Sequence, residues 1–369
     1  MKSAAPPDSR GTIAESATVT AEGAAFASDP RRLRYVEVET PGPGKNVAIA
    51  PGVRWARIAL PMDLNHINVW LIDTDDGCWV VDTGIAAAVG KESWATIERE
   101  VFAQSALRGV FVTHIHPDHI GLAAWLQQRH RVAVWMSQRT YDLAKVLLSG
   151  GDTPWSELQA FFQSHGLADP SQLQPMFQPQ RLMRMASGLP QVERYVADGD
   201  VLRWGGSEWA AMRTDGHAEG HLCLFNGAAR VLISGDQVLP TISPNIGFML
   251  RNGDANPLGS YLASLERLRK LPDDTLVLPS HGVPFRGLRH RVDDLREHHE
   301  EQLDMLEQAC IEPKTAVEVL PLMFRRQLTG MHLFLALGEA LAHLECLVHA
   351  GRVERRPDHE VIRYAAPPL

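Results

Sequence analysis

At 369 residues the chain is long for a single core, so two folded units are the default expectation. Its 45% hydrophobic and 22% charged residues are ordinary for a water-soluble protein, and a net charge of −8 argues against general nucleic-acid affinity. Cys78, Cys223, Cys310 and Cys346 are scattered with no C-x-x-C pair, which reads as reduced, mostly buried thiols and suits a cytoplasm.

Residues 1–30 are rich in Ala, Ser, Thr, Pro and Gly and lack the continuous apolar core of a secretory signal, so a loose tail is expected, again in keeping with a cytoplasmic chain. No apolar run is read as approaching the ~20 residues needed to cross a bilayer. Strand patterns follow at 57–60, 68–72, 78–81, 109–113 and 132–136, with helices at 85–102 and 120–129 between them. Three helical stretches come next, at 140–149, 155–165 and 182–196, broken by Gly150-Gly151 and by Pro170, Pro175 and Pro179. A second set of strands lies at 209–213, 222–225, 230–234 and 275–279, with a helix at 257–271. Helices at 288–310, 315–324 and 328–350 follow, the last stopping at Gly351, and a short hairpin turns around Pro357-Asp358-His359.

The most informative run is Thr113-His114-Ile115-His116-Pro117-Asp118-His119, directly after an apolar strand. Three imidazoles and a carboxylate within six positions make metal-site chemistry. Pro117 and the alternating ligands are read as excluding a regular helix, so a strand-end loop should fan its side chains to two sides and serve two metals. Nitrogen and carboxylate ligands without thiolate suit zinc, with iron and manganese as competitors.

This run resembles the H-x-H-x-D-H signature of the metallo-β-lactamase superfamily, and four further strand ends resemble that family's other motifs in order: Asp82-Thr83-Gly84, Asp215-Gly216-His217, Gly235-Asp236 and Ser280-His281-Gly282. The resemblance spans residues 53–291. It implies an α/β fold, an αββα sandwich over residues 31–287 carrying a helical insertion at about 139–197. It assigns one divalent metal, most simply zinc, to His114, His116 and His217. The other goes to Asp118, His119 and His281, with Asp236 shared between them. Asp82 and His221 are implied as neighbours that orient the ligands. The pair of ions would share a water, pull its pKa from near 16 toward 7, and leave Asp118 as the catalytic residue that orients it and carries its proton. No G-x-S-x-G elbow competes with this reading.

Ninety-eight residues separate His119 from His217, more than a strand and a helix need. In this insertion Leu158, Phe161, Phe162, Met176, Phe177, Leu182, Met183 and Met185 either cover a greasy substrate or pack the insertion down. Arg181, Arg184 and Arg194 are candidates to hold the anionic end of a thiol carrier, or are solvated surface cations. The loop 62–68 brings His66 and Asn68 as weak substrate candidates. Residues 288–369, helices and then a hairpin, look like the winged-helix-like module known in one branch of the superfamily. Their ten Lys and Arg stand against fourteen Asp and Glu, so packing or homodimer formation is expected rather than nucleic-acid binding. The motif around His217 is closest in form to hydroxyacylglutathione hydrolases and acyl-thioesterases. This implies a small-molecule acyl substrate and a metal-bridging hydroxide that attacks a thioester carbonyl. A lactonase, a phosphodiesterase and a mono-iron persulfide dioxygenase are the alternatives. No membrane partner is expected.

Overall fold

The structure is a computed structural model that describes residues 33–62, 64–148, 153–177, 184–248 and 253–368. Two seven-stranded sheets face each other. One is built from β1 (Arg34–Tyr35), β9 (Val201–Trp204), β10 (Ser207–Arg213), β11 (Leu222–Asn226), β12 (Val231–Gly235), β13 (Leu276–Pro279) and β14 (Phe285–Arg286), in the spatial order β1-β14-β13-β12-β11-β10-β9. The other runs in sequence order through β2 (Asn46–Ala50), β3 (Val53–Ala59), β4 (His66–Thr74), β5 (Gly77–Val81), β6 (Leu107–Phe111), β7 (Ala133–Met136) and β8 (Arg194–Tyr195).

The central strands read as unbroken apolar runs because both of their faces are covered. Trp55, Trp70, Trp79, Val81 and Phe111 point inward to meet Leu222, Leu224, Ile233 and Leu278 of the opposite sheet. Their alternates turn outward: Ile58, Leu71, Val80 and Val110 pack under α1 (Ala88–Ile97) and α3 (Ala123–His130). Cys223, Leu232 and Val277 do the same beneath α6 (Pro257–Arg269) and the C-terminal helices α7 (Leu288–Ala309), α8 (Ala316–Met323) and α9 (Gly330–His349). The C-terminal helices therefore share one core with the sandwich. The hairpin β15 (Glu354–Asp358) and β16 (Val361–Ala365) follows them, completing a winged-helix-like arrangement. The αββα sandwich and its helical C-terminal part are thus as expected.

Several local readings are corrected. A short helix, α2 (Pro117–Ile120), starts inside the histidine run. Proline at the first helical position forfeits only an N–H that has no intrahelical partner, so Pro117 opens this turn instead of forbidding it. In the insertion, α4 (Gln138–Leu148) and α5 (Trp155–Ser164) form, but the expected helix at 182–196 does not continue through its described part. Gly188, at φ 121°, and Pro190 interrupt it, and Arg194–Tyr195 instead pairs in parallel with β7. Helix α9 is 20 residues long with a mean hydropathy of 1.4, so one run does reach the length and composition of a membrane span; 72% of its window is buried in the protein. His298 and His299 of α7 are buried.

Candidate metal centre and cavity

Strands β5 and β6 run parallel, as do β12 and β13, so the carboxyl ends of each pair emerge on one edge. Turns beyond those ends deliver the side chains, the usual placement of sites in sheets with parallel strands. The backbone N–H of Asn68 donates to the Ser280 carbonyl at 2.7 Å, which ties the two sheets together at this edge.

The structure brings together all seven side chains that the resemblance singles out. His114, His116, His217 and Asp236 form one group, and Asp118, His119 and His281 form a second; within each, one ligand atom per residue lies within 4.8 Å of the others. Asp236 faces both. Its Oδ2 is 3.4 Å from Nε2 of His217, while its Oδ1 is 3.4 Å from Nε2 of His119 and 3.7 Å from Nε2 of His281. Ligand atoms about 2.0–2.1 Å from a tetrahedral zinc lie about 3.3–3.4 Å apart, so these separations fit a shared carboxylate. Asp118 Oδ2 stands 3.3 Å from Nε2 of His281.

Four of the five ligand imidazoles are oriented by their other nitrogen, which decides which lone pair faces the centre. The Nδ1–H of His119 donates to Asp82 Oδ2 at 2.8 Å, that of His217 to the Asn245 carbonyl at 2.9 Å, and that of His281 to the His66 carbonyl at 2.9 Å. Nδ1 of His114 meets the Thr113 hydroxyl at 3.0 Å. In consequence the Nε2 atoms of His119, His217 and His281, and Oδ1 of Asp236, are buried without any hydrogen-bond partner. Unpaired polar atoms in a protein interior are costly, and a cation among them resolves the cost. Nε2 of His114 and Nδ1 of His116 are only 3.0 Å apart. Burial, then the neighbouring imidazoles, depresses the pKa of both rings, that of His116 to about 3, so both are neutral and each has a lone pair to offer. The donor set fits two divalent ions.

Electrostatics differ in the second group. Burial opposes the charged form of His119, but Asp236, Asp82 and Asp118 outweigh it and raise its pKa well above the ordinary value. Burial likewise opposes the Asp118 carboxylate, yet His119 and His281 hold its pKa below the usual range. An excess of carboxylate charge at this corner is what a second cation would balance.

The support behind the ligands is rigid. Asp82 adopts the left-handed conformation at φ 63° and accepts from the backbone N–H of Thr113 at 2.8 Å as well as from His119. His221 is buried; it accepts at Nε2 from the Asp236 N–H at 3.3 Å and meets the Thr214 hydroxyl at 2.8 Å. Gly235 has to be glycine, since a Cβ there would lie 2.4 Å from Nε2 of His221.

The substrate candidates fare unevenly. The His66 ring accepts from the Gly282 N–H at 3.3 Å and lies beside His281, with its pKa lowered to about 3 by burial and then by Arg57 and His281. Asn68 is fully buried. Its amide donates to the carbonyls of Pro279 and Gly282 and accepts from Trp55 and Arg57, which leaves no group for a substrate. Phe177 packs against Trp155 and Phe162 at a tilt and edge-on against Phe334. Arg184 is exposed, and Arg194 is committed to Asp200 and to the face of Trp135. Met176's side chain and all of Arg181, Leu182 and Met183 lie outside the described residues.

A cavity of about 700 Å³ opens against His116 and His217. Ile115, Ile120, Leu143, Val146 and Leu147 form one side, and Phe334 and Leu335 of α9 the other. These side chains were missed as site residues. Leu143, Val146 and Leu147 are an apolar stripe at i, i+3 and i+4 of α4, the pattern the sequence offers, and the structure leaves Val146 57% and Leu147 38% exposed. Nothing local marks Phe334, Leu335 or Asn245.

Residues 62–281 match the metallo-beta-lactamase superfamily, and residues 303–367 match the metallo-beta-lactamase-like C-terminal domain. A beta-lactamase domain protein from Burkholderia ambifaria, known as a crystal structure, superposes with a TM-score of 0.82 at 37% identity, over 91% of this chain and 98% of that one. The probable metallo-hydrolase YqjP of Bacillus subtilis is 27% identical over 79% of this chain and 90% of its own length. An acyl-coenzyme A thioesterase from Homo sapiens is also 27% identical, over 66% of this chain and 82% of its own.

Proposed function

Because this chain belongs to the metallo-beta-lactamase superfamily and carries the adjoining ligand groups of a dinuclear metal hydrolase, we propose that it cleaves acyl thioesters with an apolar acyl group. His114, His116 and His217 would hold one divalent ion and Asp118, His119 and His281 the other, with an oxygen of Asp236 toward each; zinc suits this set. When bound, such a pair of ions lowers the pKa of water and polarises a carbonyl oxygen. The remaining work belongs to the chain. The cavity seats the acyl group so that the carbonyl carbon lies beside His116 and His217. Water adds to that carbon, the carbon–sulfur bond breaks, and the products are a carboxylic acid and a thiol. Asp118, held as a carboxylate, takes the proton released by the water and passes it to the departing sulfur.

The observation that carries this reading is the apolar wall against the metal ligands, a surface that favours a hydrocarbon chain over a phosphodiester. The human acyl-coenzyme A thioesterase among the relatives supports it. The test is a panel of zinc-loaded assays: acyl-coenzyme A of graded chain length, an acylglutathione, an acyl-homoserine lactone and an RNA oligonucleotide, each with wild type and Asp118→Ala. Acyl-thioester turnover is expected, with the variant slower by about 10³-fold. Turnover of the lactone or the RNA alone, or no turnover at full zinc occupancy, would overturn the thioester assignment.

A further inference from the structure

Residues 236–256, between β12 and α6, contain no helix or strand in their described part, yet they supply the Asn245 carbonyl that orients His217. Such a loop has little stiffness of its own, and a ligand that leans on it inherits its play. Here the loop is fixed from outside, by α9. The side-chain amide of Asn245 donates to Oε2 of Glu339 at 3.1 Å and to the Leu335 carbonyl at 3.4 Å, and the Phe248 N–H donates to the Gly338 carbonyl at 2.9 Å.

Glu339 is an odd residue for that place. It is only 8% exposed, lies in the middle of a long apolar helix, and has no ion-pair partner among the described residues. Burial raises its pKa to about 7, and the Asn245 hydrogen bond only partly offsets this. Leucine would pack such a helix at no desolvation cost. What the carboxyl group does there is grip Asn245. We propose that Glu339 is a positioning residue of the metal centre, acting through Asn245 to fix the carbonyl that orients His217. The C-terminal helices are then part of the catalytic site's framework.

The inference rests on His217 being a ligand, and the experiment separates the two claims. Zinc is titrated into the metal-stripped full-length chain against a chromophoric chelator for wild type, Glu339→Leu, Glu339→Gln, Asn245→Ala and Glu339→Leu/Asn245→Ala. Wild type is expected to take two zinc ions. Glu339→Leu should lose about 10- to 100-fold in affinity in one of the two steps, while Glu339→Gln, whose amide oxygen still accepts from Asn245, should stay within about threefold. Asn245→Ala should match the leucine variant, and the double variant should lose no more than either alone, as expected for two residues that act as a unit. If Glu339→Leu does not fold, Asn245→Ala and Glu339→Gln carry the same contrast. Two tight zinc ions in wild type with an unchanged Glu339→Leu would overturn the inference alone, as would equal weakening of both steps. Fewer than two zinc ions in wild type would remove the ligand reading and the inference with it.

Discussion

The metal centre and the cavity beside it are built to different standards. Around His114, His119 and His281 one nitrogen of each ring has an assigned neighbour: Thr113, Asp82 and the His66 carbonyl each fix one, which aims the other nitrogen at the centre. The cavity wall is looser, formed by side chains from α2, α4 and α9 that share apolarity and little else, with Val146 more than half exposed. The difference follows from the tasks. Lone pairs must converge on a point to within a few tenths of an ångström, whereas a hydrocarbon chain asks only for volume and the absence of water.

That contrast can be broken from either side. The largest effect is expected from Asp236→Ala, because its two oxygens face both ligand groups. Losing a shared ligand should forfeit several kcal/mol of charge stabilisation, a fall in kcat of about 10³-fold, together with zinc stoichiometry below two by elemental analysis. A variant that retained two zinc ions and its rate would dissolve the distinction. Next in size, Asn68→Ala strips partners from the Trp55 indole and from the Pro279 and Gly282 carbonyls. Urea unfolding should show about 2–4 kcal/mol lost, a structural rather than a substrate-binding effect. An undiminished unfolding free energy with a raised KM would instead return Asn68 to the substrate. Smallest, Phe334→Ala should leave zinc affinity untouched while shifting the ratio of kcat/KM for long over short acyl chains upward by about tenfold. A drop in zinc affinity there would show that the cavity wall and the centre are mechanically one.

The sequence exposes the centre and hides the cavity for the same reason. The ligands of this centre are histidines and aspartates delivered just beyond strand ends, so His114 to His119 and Ser280-His281-Gly282 are visible as short, improbable strings. Strands such as 78–81 and 230–234 are legible because burial on both faces demands continuous apolar residues. Phe334 and Leu335, in contrast, are two apolar residues in an apolar helix, and only the packing of α9 beside the insertion gives them a role. Asn245 acts through its backbone, which every residue type possesses. Two local features run against their sequence pattern: Pro117 starts a helix instead of breaking one, and Gly188 and Pro190 interrupt the helical pattern at 182–196.

The composition of α9 has a consequence for how the chain is made. It leaves the ribosome after both sheets and α6 have been synthesised, so a nascent segment greasy enough to tempt a translocation channel meets its docking surface already in place. Placed ahead of the sandwich, the same twenty residues would have waited in solvent as a target for chaperones and insertases; their late position in translation lets the protein carry them safely.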